Sequence, residues 1–150
     1  MRPWMLLVVL LTGCVVMHPE QWWHGGQTEC FRFSLPPDFG QTSLRARHLE
    51  IAQYTNENIT ITFDDGAYFG QPLDSLSKFP NYTSRTERIG SMPTQIVTFD
   101  IPPGPSHRFN HGIAASYLGF GLTAYAHCRT PDDFPTAEAI FRTVHLKGPF

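Results

Sequence analysis

His111-Gly-Ile-Ala-Ala-Ser-Tyr-Leu-Gly-Phe-Gly-Leu-Thr-Ala-Tyr-Ala-His-Cys128 is the stretch that decides the fold. Two apolar-rich runs flank Gly119-Phe120, the composition of a tight hairpin loop. A two-residue loop pairs Leu118 with Gly121, and hence Tyr117 with Leu122, Ala115 with Ala124 and Ile113 with Ala126. Those apolar residues share one face with Cys128, while Ser116, Thr123 and His127 take the other. Register and patterning agree, as a half-buried antiparallel pair requires.

Upstream, Thr83 to Ile89 and Thr94 to Ile101 flank Gly90-Ser91-Met92-Pro93 and read as another hairpin. Pro102-Pro103-Gly104-Pro105 separates the two hairpins and cannot be regular structure. Phe31, Phe33 and Leu35 alternate with Arg32 and Ser34 in a strand stopped by Pro36-Pro37. Asn58 to Phe63 places Ile59, Ile61 and Phe63 on one face and ends at the turn signal Asp64-Asp65-Gly66. Leu44 to Tyr54 fits strand or helix, and Gly70 to Asn81 reads as a surface loop with a short helical turn. Asp132 or Asp133 can cap a C-terminal helix with Pro135 in its first turn. Its apolar stripe is Ala137, Ile140 and Phe141, and a last strand follows over Thr143 to Lys147. The expected fold is therefore α+β: a single domain, mainly antiparallel sheet with hairpins, and a C-terminal helix packed on one face.

Leu35-Pro36-Pro37 at the end of a first strand, a hairpin through Ile89-Gly90, and Ala-x-x-Ile-Phe-x-Thr-Val over Ala137 to Val144 resemble the PsbP-like and DcrB-like group of small exported domains. The likeness is one of spacing and covers most of residues 29–147. It implies an antiparallel sheet between helices and a non-catalytic binding or assembly role.

The N-terminus reads as an address. Arg2 precedes an apolar run from Trp4 to Leu11. In a helix those residues span about 12 Å, far short of a hydrocarbon core of about 30 Å, so a signal-peptide core fits and a transmembrane helix does not. Leu11-Thr12-Gly13-Cys14 then resembles the lipobox of bacterial lipoproteins. That resemblance implies cleavage before Cys14, acylation of its sulfur and new amine, and, with Val15 next, outer-membrane sorting on the periplasmic side in a Gram-negative cell. Two or more acyl chains anchor a protein stably where one does not. The expected organisation is a signal peptide over 1–13, a lipidated tether over 14–28 and a globular domain over 29–150. In the tether Gly25-Gly26 breaks any periodicity, and Trp22-Trp23 suits either lipid headgroups or the domain.

Composition narrows the function. Thirteen acidic residues against eleven basic ones give a net charge of -2, and 41% of the chain is hydrophobic. This excludes a disordered acidic tail and a strongly basic nucleic-acid-binding domain. With Cys14 lipidated, Cys30 and Cys128 remain outside the cytoplasm, where disulfides persist. One bridge between them is expected, closing a loop worth about 4.7 kcal/mol by chain entropy. The alternative is a reactive thiol, which nothing adjacent supports.

His107 and His111 have the i, i+4 spacing of helical ligands, and His127 lies across the hairpin from Gly112. The three are weak zinc candidates beside the plainer reading of polar-face histidines. Arg45, Arg47, Arg85 and Arg88 make either an anion- or partner-binding patch or a solvated sheet face. Asp64-Asp65-Gly66 lacks the glutamate that an EF-hand loop needs, since position 75 is Ser75. Glu50, Glu57, Asp64 and Asp65 show no feature that would pair two of them for glycoside chemistry. No serine-hydrolase elbow, Ser-x-x-Lys, zincin, P-loop or dinucleotide fingerprint occurs. The expectation is a membrane-anchored envelope lipoprotein without cofactor or nucleic-acid partner. Its non-catalytic role would be to bind or help assemble another envelope component. Two alternatives are an inhibitor or immunity-type protein masking a toxin or hydrolase, and an enzyme without a recognisable motif.

Overall fold

A computed structural model describes residues 23–28, 30–42, 50–66, 68–105 and 108–148. Among the described residues ten strands and one α-helix follow each other as β1 (His24–Gln27), β2 (Phe31–Leu35), β3 (Gly40–Thr42), β4 (Glu50–Thr55), β5 (Ile59–Asp65), β6 (Thr83–Ile89), β7 (Met92–Asp100), β8 (His111–Tyr117), β9 (Leu122–Cys128), α1 (Phe134–Arg142) and β10 (His145–Leu146). Seven strands form a large antiparallel sheet in the order β3-β4-β5-β9-β8-β7-β6, and three form a small one in the order β1-β2-β10. This is the expected α+β class, with the antiparallel strands divided between two sheets.

The small sheet and α1 cover one face of the large sheet. From β2, Phe31, Phe33 and Leu35 point inward. They meet Ile59, Ile61 and Phe63 of β5, Ile113, Ala115 and Tyr117 of β8, and the apolar stripe of α1. Phe33 stacks on Phe63 with centroids 3.8 Å apart and meets Tyr54 edge-on at 5.6 Å. Burying such a side chain contributes about 1.5–3 kcal/mol, so these rings are major ties between the sheets. Tyr117 is fully buried and donates its hydroxyl to the Phe141 carbonyl at 2.7 Å, joining β8 to the end of α1. Thr130 N donates to the Asp133 carboxylate at 3.1 Å and holds the entry to that helix.

The β8–β9 register is the expected one: Tyr117 faces Leu122, Ala115 faces Ala124 and Ile113 faces Ala126. Leu118 and Gly121, however, do not pair, so the loop spans 118–121. Leu118 N donates instead to the Pro93 carbonyl and Gly119 N to the Gly70 carbonyl. The hairpin is also not half-buried. The segment from Gly70 to Tyr82, with a 3-10 turn over Asp74–Lys78, lies on the opposite face. There Leu73, Leu76, Phe79 and Tyr82 pack on Val97, Phe99, Ala114 and Tyr125. Gln95 ties it down: it accepts from Leu73 N at 2.6 Å and donates to Asp74 Oδ1 and Ser84 Oγ, each at 3.0 Å. Gly70 has φ +71°, and a Cβ there would lie 2.7 Å from both Gly121 N and Tyr117 O. A polar, proline-containing stretch thus becomes a cover because its few apolar side chains face one way.

The N-terminal organisation needs a correction. Within the stretch expected as a tether to Thr28, His24–Gln27 form β1 and pair antiparallel with β2, while 14–22 lie outside the described residues. Glycine costs a strand entropy, but here the lack of a Cβ at Gly26 is what admits the Phe33 ring beneath it. Trp23 packs half-buried on the main core. The ambiguous stretch before Tyr54 is strand from Glu50 onward, while 43–49 lie outside the described residues.

Candidate functional site

Alternation along the small sheet separates two chemistries. The inward residues of β2 are aromatic and aliphatic, and Arg32 and Ser34 face outward. Register sets Gln27, Arg32 and His145 opposite one another in a row across β1, β2 and β10. Directly opposed side chains stand about 4.5–5.5 Å apart at Cβ. Lys147 lies two residues beyond His145, and its N–H continues the ladder by donating to the Cys30 carbonyl at 2.9 Å. Arg32, His145 and Lys147 therefore share the outer face.

These residues line an open groove of about 720 Å³. It extends over Gly25 and Gly26 to Gln41 and Tyr54 at the margin of the large sheet. A Cβ at Gly25 would meet nothing within 4 Å, so the backbone there is bare. Arg32, His145 and Lys147 are the charged or titratable side chains of the lining apart from the Tyr54 phenol, whose pKa burial raises. His145 Nδ1 donates to the Thr143 carbonyl at 3.0 Å, which holds the ring in place. Such a set can hold an anion through one guanidinium and one ammonium, with the imidazole beside them.

Among the described residues, those singled out from sequence do not assemble into a site. Cys14, His107, Arg45 and Arg47 lie outside the described residues. The expected bridge between Cys30 and Cys128 is not formed. Cys30 N donates to Asp65 Oδ2 at 3.1 Å, whereas Cys128 pairs with Ile59 at the other end of β5. The six steps along β5 from Ile59 to Asp65 span about 20 Å, and a disulfide needs Cα atoms within about 7 Å. Cys128 is fully buried, and burial, with the charge of Asp133 adding to it, pushes its thiol up to about 12. That thiol is a core side chain and no nucleophile.

His111 pairs with Cys128 and His127 with Gly112, so the two imidazoles stand on opposite faces of the sheet. His111 Nδ1 lies 2.7 Å from Asp100 Oδ1. Hydrogen bonds from Asn81 and then His111 hold the Asp100 carboxyl below the usual range. Among the described residues no three His, Cys, Asp or Glu side chains converge as metal ligands would. Arg85 is engaged by Glu138 and, at 3.7 Å, by Glu87, and Arg88 donates to the Ser91 carbonyl at 3.2 Å. Glu57 lies at the Ile59 end of β5 and faces Arg129 at 3.9 Å, far from Asp64 and Asp65. Burial raises the Asp64 pKa.

The chain matches no protein-family model, and no curated protein is significantly similar to it. Sequence reading missed Arg32, His145 and Lys147 because the last two stand more than a hundred residues from the first. One signal was present: Arg32 is the charged outward position of the cleanest short strand.

Proposed function

We propose that this chain is a lipid-anchored envelope protein, acylated at Cys14, whose domain binds or helps assemble another envelope component without catalysing a reaction. The finer architecture we propose is the PsbP-like one, supported by the β6–β7 hairpin through Gly90-Ser91 and by the order of helix and strand at the C-terminus. One observation carries the functional reading. The first strand begins at His24, ten residues after Cys14, and contributes the bare glycine rim of the groove. A chain of that length reaches at most about 36 Å, so acylation at Cys14 keeps the groove close to the bilayer surface. Anchoring raises the local concentration of whatever lies at that surface, so weak contacts suffice. Arg32 and Lys147 suit binding, since a guanidinium and an ammonium are fixed positive charges rather than a nucleophile and base in contact. For a Gram-negative cell the proposed location is the periplasmic side of the outer membrane.

The test is the intact mass of the protein from the membrane fraction. A mass equal to residues 14–150 plus acyl chains is expected. A full-length or unacylated mass overturns the reading.

A further inference from the structure

We infer that the groove beside β1 is a binding site for a phosphate-type oxyanion, held by Arg32 and Lys147 with the His145 imidazole beside them. The inference rests on the proposed anchoring only for the source of the anion, not for the site itself.

Charge gives the first argument. The chain carries more acidic than basic residues, yet Arg32 and Lys147 come together, diagonal to one another, on the outer face of a three-stranded sheet. Like charges set opposite or diagonal to one another across strands are destabilising. Elsewhere in the fold, Arg85, Arg129 and Arg142 have carboxylate partners. Among the described residues neither Arg32 nor Lys147 is in such a pair. A cationic pair without a counter-charge among the described residues is what an anionic ligand would complete.

Shape gives the second. A groove of about 720 Å³ falls within the range of small-molecule sites, about 300–1,000 Å³. The missing side chain at Gly25 keeps the space above β1 open. The third argument is donor geometry. A guanidinium offers a planar fork that matches two oxygens of a phosphate, and a lysine adds a mobile point charge. Ser34 and Gln27 line the same groove and offer neutral hydrogen bonds to an ester or glycerol oxygen. The shared chemistry is a phosphate group, presented either by an anionic lipid headgroup or by a soluble phosphate. With β1 ten residues from Cys14, a headgroup of the anchoring membrane is within reach.

The experiment measures carbethoxylation of His145 by diethylpyrocarbonate, read by peptide mass spectrometry on the full mature chain. His127, on the far face of the large sheet, is the internal control. Three conditions are compared: phosphatidylcholine vesicles, the same vesicles with inorganic phosphate, and phosphatidylglycerol vesicles. At about ten times the half-saturating concentration, mass action leaves about a tenth of sites open, so modification of His145 slows about tenfold while His127 is unchanged. Protection by both additions, or by phosphatidylglycerol alone, assigns the site to a headgroup, and protection by inorganic phosphate alone assigns it to a soluble ligand. The variant Arg32→Gln/Lys147→Gln, changed only on the outer face, loses the protection. If His145 is modified equally in all three conditions, or the double variant is protected as well as the parent, the inference is wrong. The acyl mass of the same sample shows separately whether the anchoring reading holds.

Discussion

Replacing Gly26 with alanine places a Cβ 2.2 Å from Cε2 of Phe33 and 2.9 Å from its Cδ2 and Cζ. Real Cβ atoms do not approach that closely, so either the ring or β1 must move. The ring has little freedom, because its face is stacked on Phe63 at 3.8 Å and its neighbour Tyr54 meets it edge-on. Overpacking of this kind costs about 1–3 kcal/mol, and the most accessible response is for β1 to lift away from the core. At Gly25 the same substitution meets open space. There the gain from restricting the unfolded chain, about 0.4–1 kcal/mol, is not opposed by a clash. Two adjacent glycines in one strand are therefore expected to respond with opposite sign. The assay is urea unfolding of Gly26→Ala and Gly25→Ala at unchanged m-value, with a thermal scan beside it. In a domain of this size each kcal/mol corresponds to about 2–4 °C in Tm. Equal stability losses in the two variants, or a Gly26→Ala chain within 0.5 kcal/mol of the parent by the usual margin for a neutral surface change, would refute the packing of β1 over Phe33.

Two further outcomes follow from the titratable groups. The Cys128 thiol, fully buried and pushed up to about 12, is expected to resist alkylation at pH 8 in the native protein and to react once urea unfolds it; rapid native labelling, or a mass that rises on reduction, would contradict the separation of Cys30 and Cys128. Burial raises the pKa of Glu138, but the hydrogen bonds and charges of Arg85 and Arg142 outweigh it and hold the carboxyl below the usual range. A depressed carboxyl stabilises the fold above its ordinary value of 4.5, and that contribution is lost as pH falls through the folded pKa. Unfolding midpoints measured from pH 6 down to pH 3 should therefore fall less steeply in Glu138→Gln, and parallel curves would remove the Arg85-Glu138-Arg142 network as a source of acid sensitivity.

The parts of this protein legible in its sequence are those set by neighbours along the chain. Alternation and two turn glycines were enough for the β8–β9 register. Paired prolines ended β2, and a proline beside two aspartates marked the start of α1. Each is a local steric or hydrogen-bonding rule acting over a few residues.

The tertiary structure decided what lies far apart in sequence. Pairing of β10 with β2 brings His145 beside Arg32 and builds the groove. Opposite ends of β5 keep the two cysteines from bonding. Packing of the Gly70–Tyr82 segment turns a face expected to meet solvent into a second small core. No local rule reports these outcomes, because a strand's own pattern says which side of it is apolar but not which distant strand or loop will cover that side.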